Sequence, residues 1–127
     1  MKAELFVMLL PAIAAVESNN NPNAIGDNGN AVGLYQIWPA YWKDGCETLK
    51  VKWPLTERKD PQKSKEIVMA YLYKYGKRYE KLTKKPITLE VLARIHNGGP
   101  NGWKKESTLK YWEKIKRAIE QRKSKNH

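Results

Sequence analysis

Cysteine is almost absent from this chain of 127 residues. The lone Cys46 excludes an intramolecular disulfide, so packing alone has to hold the fold together. Small secreted domains are commonly rich in disulfides, whereas thiols stay reduced inside cells. We therefore expect synthesis in a reducing compartment, with secretion as the alternative. The length fits a single domain over residues 1–127, built around one modest hydrophobic core.

Histidine is also scarce, and its two occurrences, His96 and His127, lie far apart in the chain. No group of His and Cys has the spacing of a zinc site. No glycine-rich loop with a lysine follows a strand, as nucleotide hydrolysis would require. We expect no metal ion and no other cofactor. A nucleophilic pair of Cys46 and His96 lacks any local signature, and Cys46 is better explained as a small buried hydrophobic residue.

Long apolar runs are missing as well. The run LFVMLLPAIAAV has about a dozen residues, fewer than the roughly 20 that a membrane-spanning helix needs. With Lys2 before it, this run has features of a secretory signal peptide. However, Glu4 lies where such a peptide is basic, and cleavage near Ala15 would remove an amphipathic segment. We expect an uncleaved N-terminus and no membrane span.

Acidic residues are few, and the net charge of +11 is spread unevenly. Residues 1–49 contain two basic and five acidic side chains, a net charge of −3, whereas residues 50–127 carry +14. A basic surface of this size attracts polyanions such as nucleic acid, anionic membranes or an anionic cell wall. Many of these lysines also fit the simpler interpretation of solvated helix faces.

Apolar residues recur at helical spacing in several segments, which predicts a mostly helical protein. The first helix ends near Ser18, and Pro11 either kinks it or begins its regular part. Asp60 caps a long helix over 61–83. Thr88 caps another helix that runs to about His96. A last helix starts at Ser107 or Thr108, and we expect the tail from about residue 121 to fray.

One segment carries a strand signal instead. In AIGDNGNAVGLYQI, Asn28-Gly29 supplies two residues suited to the positive φ angles of a tight hairpin turn. We predict a small antiparallel sheet near residues 24–37, with Asp27 at its tip. The following PAYWKDG is typical of a short helix or turn, and residues 43–59 are predicted to be irregular. The fold class is therefore α+β, mostly helical with one small hairpin.

Only three carboxylates occur in the first 40 residues, and two of them lie close in sequence. Glu17 ends a helix whose inner face is apolar, and Asp27 lies in a hydrated turn. Hydrolysis of a glycosidic bond needs such a contrast, because one carboxyl group must donate a proton while the other stays ionised. Each residue also has a structural explanation, Glu17 as a surface residue and Asp27 as a turn former.

A second polar stretch, LARIHNGGPNGW, ends a predicted helix with His96 and Asn97 and then becomes rich in glycine. Taken alone, this is a turn with an imidazole and a carboxamide at its start and no known ligand. Beside Glu17 and Asp27 it would form the far wall of a cleft, where Gly98 and Gly99 keep the backbone slim close to a ligand. There we expect His96 to position a substrate, not to catalyse.

Several of these motifs resemble one family. AVESNNNPNAIGDNGNAVGLYQI is similar to the catalytic region of the lysozyme and lytic transglycosylase superfamily, in which a Glu-Ser pair ends a helix and Gly-x-x-Gln follows. The stretches YQIWPAYWKDG, ARIHNGGPNG and STLKYW resemble, in the same order, segments of the invertebrate-type (destabilase-like) lysozymes. The resemblance covers about Leu10 to Trp112, and the ten residues of ARIHNGGPNG are its most specific part.

The resemblance implies a lysozyme-like fold and a peptidoglycan muramidase that hydrolyses the β-1,4 bond between N-acetylmuramic acid and N-acetylglucosamine. It places the general acid on Glu17 and the nucleophile or stabilising carboxylate on Asp27. The implied substrate-binding positions are Ser18, Tyr35, Gln36, His96, Asn97 and Gly98. The implied partner is bacterial peptidoglycan, with anionic wall polymers bound through the basic surface. We expect a monomer with no specific nucleic-acid ligand.

Two rival functions remain open at the level of sequence. A lytic transglycosylase would use Glu17 alone, and a non-enzymatic basic module would bind cell wall or nucleic acid. The chain also departs from the family, whose members are normally rich in disulfides, and Trp103 occupies a position where cysteine is typical. This departure favours a bacterial or phage-encoded relative that acts on the bacterial wall.

Overall fold

The computed structural model describes residues 3–125. Within them there are five α-helices and one two-stranded hairpin, which confirms the predicted α+β class. The elements are α1 (Ala3–Ser18), β1 (Ile25–Gly26), β2 (Ala31–Val32), α2 (Pro39–Leu49), α3 (Pro61–Thr83), α4 (Leu89–Gly98) and α5 (Leu109–Lys125), with 3₁₀ turns at Asp27–Gly29, Leu55–Lys59, Gly102–Lys104 and Glu106–Thr108. Lys2 and His127, which the sequence analysis considered, lie outside the described residues.

Helix α1 provides the centre of the core. It begins at Ala3 and continues through Pro11, so its regular part does not begin at the proline. Leu9, Ala12 and Ile13 are completely buried, as the helical spacing of the apolar residues predicts. Because α5 and α4 both pack against α1, the end of α1 lies next to side chains from the C-terminal half.

The hairpin is short and its connection is longer than predicted. Strand β1 pairs antiparallel with β2, Ile25 opposite Val32 and Gly26 opposite Ala31. Asn28 and Gly29 adopt positive φ angles of 57° and 91°, as predicted. Asp27 also has a positive φ, 49°, so the connection is a 3₁₀ turn and not a two-residue hairpin turn.

The prediction that residues 43–59 are irregular holds only for residues 50–54. Helix α2 runs on to Leu49, and residues 55–59 form a 3₁₀ turn. The tertiary reason is close packing of α2 on α3: a Cβ at Gly45 would lie 2.7 Å from Cγ2 of Ile67. Trp42 and Cys46, one helical turn apart, are buried in this contact, so packing extends the helix past a glycine that weakens it locally.

The two helices with clear caps follow the prediction. Asp60 accepts a hydrogen bond from the Lys63 amide at the start of α3, and Thr88 accepts one from the Val91 amide at the start of α4. The side-chain oxygens thereby satisfy amides that the first helical turn leaves unpaired. These caps set where both helices begin.

The last helix begins slightly later than predicted. A 3₁₀ turn at Glu106–Thr108 precedes α5, which begins at Leu109. Helix α5 continues to Lys125, and residues 121–125 include no proline or glycine that would end it. Fraying of the tail from about residue 121 stays a prediction. No helix among residues 3–125 is both long and apolar enough to cross a bilayer.

Candidate active site

The ends of three helices and the hairpin meet at an open cavity of about 270 Å³. Its lining comes from the end of α1, the hairpin, the start of α2 and the end of α4. The lining residues are Glu17, Asp27, Gln36, Trp38, Tyr41, His96 and Asn97. Five of these seven were predicted site residues, although they come from three separate parts of the chain.

Glu17 lies in the last turn of α1 with 21% of its side chain exposed. The Tyr111 hydroxyl of α5 donates a hydrogen bond of 3.0 Å to its Oε2. Nε2 of His96 lies 3.4 Å from the same oxygen. The carboxyl group is therefore oriented from two helices that lie far from it in sequence, while it still faces the cavity.

Ser18 holds the end of α1 against the hairpin. Its hydroxyl lies 2.8 Å from the carbonyl oxygen of Leu34 and 3.1 Å from that of Ala14. It also accepts a hydrogen bond from the amide of Asn21. These bonds connect the helix that carries Glu17 to the segment that carries Gln36. Ser18 does not line the cavity.

Asp27 has the opposite environment. Its side chain is exposed, and within residues 3–125 it forms no side-chain hydrogen bond or salt bridge. Asp27 and Asn28 both adopt left-handed backbone angles, which cost energy for residues other than glycine. The side chain and the amide of Asn30 both donate to the Asp27 carbonyl oxygen and hold this turn.

Gln36 reinforces the hairpin from inside. Its Nε2 donates to the carbonyl oxygens of Ala24 and Gly33, each at 3.1 Å. Because both amide hydrogens are used in this way, only Oε1 is left for a ligand. The backbone of Gln36 is also left-handed, with φ at 52°.

His96 is buried and held at both ring nitrogens. Nε2 lies 3.0 Å from the Tyr35 carbonyl oxygen, and Nδ1 lies 2.9 Å from the Tyr41 hydroxyl. A carbonyl can only accept, so Nε2 carries the hydrogen and Nδ1 accepts from Tyr41 in the neutral ring. Burial raises the pKa of Tyr41 well above its usual value, with smaller contributions from Tyr71, Glu17 and Asp44, so this hydroxyl stays a donor.

Two other predicted substrate-binding residues lie outside the cavity lining. The Tyr35 ring is 6% exposed and lies along a separate groove beside Phe6 and Leu10. Its contribution at the site is the carbonyl that holds His96. Gly98 packs against the 3₁₀ turn that precedes α5, since a Cβ there would lie 2.6 Å from Cγ2 of Thr108. The side chain that lies close to Gly98 is therefore Thr108 of the protein itself, and Gly98 does not line the cavity.

Three residues of the site were not singled out from the sequence. Trp38, 47% exposed, forms one wall of the cavity. Tyr41 is three residues further on, and this spacing places both on one side of the start of α2. The motifs containing Trp38, Tyr41 and Tyr111 were recognised as family segments, so the only signal for their role lay in that resemblance.

Among residues 3–125, no three His, Cys, Asp or Glu side chains cluster in a way that could hold a metal ion. Cys46 is a buried free thiol, and it does not line the cavity that contains His96.

The chain is similar to known proteins over most of its length. The family model of the transglycosylase SLT domain matches residues 2–119. The lysozyme of Meretrix lusoria is 36% identical over 110 residues, which cover 85% of each chain. The chain belongs to the invertebrate-type lysozyme family. Invertebrate-type lysozyme 6 of Caenorhabditis elegans is 33% identical, covering 84% of this chain and 82% of its own length.

The fold of this family member is similar to solved lysozyme structures. The crystal structure of Tapes japonica lysozyme superposes with a TM-score of 0.70 at 32% identity, with 85% of each chain covered. Family membership makes the chain an enzyme, a glycoside hydrolase of the lysozyme class. The family resemblance proposed from the four sequence motifs is thereby confirmed.

Proposed function

We propose that the protein is a muramidase that hydrolyses the β-1,4 bond between N-acetylmuramic acid and N-acetylglucosamine in bacterial peptidoglycan. The observation that carries the proposal is the pairing of Glu17 and Asp27 in one open cavity. Glu17 is oriented by Tyr111 and largely shielded, whereas Asp27 is exposed and without a side-chain partner among the described residues. This contrast suits one proton donor and one ionised carboxylate.

In the proposed mechanism, protonated Glu17 donates its proton to the glycosidic oxygen as the bond to the anomeric carbon breaks. Asp27 attacks that carbon, or stabilises its positive charge, on the opposite side of the ring. Water then adds to the anomeric carbon and loses a proton to Glu17, which restores both groups. A retaining reaction of this kind requires the carboxyl groups to be about 5–5.5 Å apart when substrate is bound.

The other cavity residues have roles that suit a sugar. Trp38 exposes its ring beside the two carboxylates, and an exposed indole offers a flat apolar face for a pyranose ring. Asn97 is exposed at the end of α4, and its amide can hydrogen-bond an acetamido group. His96 is already saturated by Tyr35 and Tyr41, so we assign it to positioning.

The basic half of the chain supplies a second feature of the proposal. Residues 50–127 carry a net charge of +14, and bacterial walls contain acidic peptides and phosphate-rich polymers. Attraction between the two would concentrate the enzyme on its substrate. This role is independent of the catalytic cavity and has its own test below.

The decisive experiment compares two isosteric variants on purified peptidoglycan, with mass spectrometry of the released fragments. Glu17→Gln should lower the rate by on the order of 10²–10⁴, the usual contribution of a general acid, while wall binding is retained. Asp27→Asn should abolish most of the activity of a hydrolase. The wild type should release fragments that end in reducing N-acetylmuramic acid.

Each rival function predicts a different result in this experiment. A lytic transglycosylase would release fragments with anhydro-sugar ends, and its Asp27→Asn variant would stay largely active. A non-enzymatic wall-binding module would release no fragments at all, and Glu17→Gln would then be indistinguishable from wild type. Circular dichroism of both variants shows whether a loss of activity reflects a loss of fold.

A further inference from the structure

A second and larger cavity, of about 540 Å³, lies between α2 and residues 51–55. Its walls are mainly apolar and include Trp42, Cys46, Val51, Trp53 and Leu55. Nothing in the proposed mechanism uses it. Its volume is within the range of about 300–1,000 Å³ that is usual for ligand-binding cavities. We call it the α2 pocket.

Hydrogen bonds join helix α2 to residues 51–53 and fix the two walls of the α2 pocket relative to each other. The indole nitrogen of Trp42 donates to the Trp53 carbonyl oxygen at 2.9 Å, and the amide of Val51 donates to the Cys46 carbonyl oxygen at 3.0 Å. Leu55 contributes to the lining and is 42% exposed. The pocket is therefore a defined part of the fold with an uncovered apolar mouth.

The α2 pocket and the active cavity both take lining from the start of α2. Trp38 lines the active cavity, and the next residue, Pro39, lines the α2 pocket. The two cavities share no lining residue and lie on different sides of the helix. A side branch of several residues near the cleaved bond, at about 3.3 Å per residue, can run from one cavity to the other.

The charges around the α2 pocket indicate which chemical groups a side branch of the substrate needs in order to bind there. Lys43 and Lys52 line it together with one acid, Glu47. All three are exposed and form no salt bridge within residues 3–125. An occupant with two carboxylates, one amine and small apolar side chains would satisfy these groups and the apolar walls together.

We infer that the α2 pocket binds the peptide branch of peptidoglycan, the short chain attached to N-acetylmuramic acid. This peptide contains alanine methyl groups, carboxylates and the amine of a diamino acid. These groups match the apolar walls, the two lysines and the glutamate of the pocket, in that order. The inference rests on the proposed function. It adds that the enzyme recognises its substrate through the peptide as well as through the glycan.

Two soluble glycan substrates test the inference, one with its peptides and one from which an amidase has removed them. We expect the wild-type kcat/KM to be at least about tenfold higher on the peptide-bearing glycan, chiefly through a lower KM. The double charge reversal Lys43→Glu with Lys52→Glu should remove this preference and leave the rate on the bare glycan unchanged. Leu55→Ser should weaken the preference for the peptide-bearing glycan without changing the rate on the bare glycan.

The matched control reverses two exposed lysines remote from both cavities, Lys81→Glu with Lys85→Glu. It changes the net charge equally and should keep the peptide preference. Equal wild-type rates on the two glycans would overturn the inference. So would a loss of preference in the control, because general charge attraction would then explain it.

A binding experiment separates this inference from the proposed function. The synthetic tripeptide L-alanyl-γ-D-glutamyl-L-lysine is titrated into the labelled protein while backbone amide resonances are followed by NMR. We expect saturable shifts at residues 46 and 51–53, which the Lys43→Glu, Lys52→Glu variant loses. Shifts at these residues without cleavage of either glycan would support peptide binding in the α2 pocket and contradict the muramidase activity. Cleavage without these shifts would support the muramidase activity and contradict peptide binding in the pocket.

Discussion

At the scale of single residues, the site depends on how Glu17 is held. Its only side-chain hydrogen bond within the described residues comes from Tyr111, and the His96 ring lies beside the same oxygen. Burial, and then the negative charge of Glu17, raises the pKa of Tyr111 well above its usual value. The hydroxyl therefore remains a donor throughout the pH range in which a lysozyme would work.

Tyr111→Phe removes this donor and keeps the ring. We expect kcat to fall several-fold at every pH, because the Glu17 carboxyl group loses the donor that orients it. The rate is measured from pH 4 to 9 on a soluble oligosaccharide. Tyr73→Phe, at an exposed tyrosine of α3, is the control, and identical profiles for the two variants would contradict the assigned role.

At the scale of elements, Arg58 fastens the hairpin to the rest of the molecule. It is 9% exposed, and its Nη1 lies 2.8 Å from the carbonyl oxygens of both Asn30 and Ile37. Asn30 follows the turn that carries Asp27, and Ile37 follows Gln36. One guanidinium group thus links the end of the turn that contains Asp27 to the residue that follows Gln36.

Arg58→Met should therefore affect activity beyond its effect on stability. It removes two hydrogen bonds from a charged donor, each worth about 1.5–3 kcal/mol, leaves the Ile37 carbonyl oxygen with only the Val32 amide as donor, and frees the turn at Asp27. We expect a lower melting temperature and a kcat reduced by at least about tenfold. Ile119→Ala, in the core of α5, is the control: it should lose similar stability but keep kcat at temperatures where both variants are folded.

At the scale of the whole molecule, charge is the dominant feature. The net charge of +11 comes from residues 50–127, whereas Glu17 and Asp27, the two carboxylates proposed to catalyse, lie in the acidic first part of the chain. Charges on a surface act over about 10 Å at 0.1 M salt and over about 3 Å at 1 M. Attraction to an anionic wall is therefore the step that salt weakens.

We expect lysis of whole walls to fall steeply between 0.05 and 0.5 M sodium chloride, since screening shortens the reach of the basic surface. Cleavage of an uncharged soluble oligosaccharide should change little over the same range. Both rates are measured with one enzyme preparation. Wall lysis that is insensitive to salt would show that the basic surface does not recruit the enzyme.

Buried tyrosines make the stability of the fold depend on pH in the alkaline range. Burial raises the pKa of Tyr35, Tyr41, Tyr71, Tyr75 and Tyr111 above its ordinary value. The folded state thus keeps these protons when the unfolded chain loses them near pH 10. Their contribution to stability is complete below about pH 10 and is lost as the pH rises above it.

The free energy of unfolding should therefore decrease as the pH rises from about 10 to 11. Tyr71→Phe should make that decrease shallower, because one hydroxyl with a raised pKa is removed. The measurement is urea denaturation at several pH values, with Tyr73→Phe as the exposed control. The same slope for wild type and Tyr71→Phe would show that Tyr71 does not contribute to the alkaline limit.

Sequence by itself determined the features that depend on neighbours along the chain. Asp60 and Thr88 signal helix starts because their side chains bond amides three residues away. Spacing of apolar residues located α1 and α3, and the end of α1 placed Glu17 at the edge of the core. The motifs also identified the family, because residues that serve one site recur in a fixed order.

Only the tertiary structure decided which side chains meet. Tyr111 reaches Glu17 across 94 positions of sequence, and His96 is fixed by Tyr35 and Tyr41. The length of α2 likewise depends on its packing against α3, which no local signal at Gly45 indicates. Helix-packing angles and hairpin placement set these contacts. Caps and periodicity determine where each helix runs, but not which faces come together.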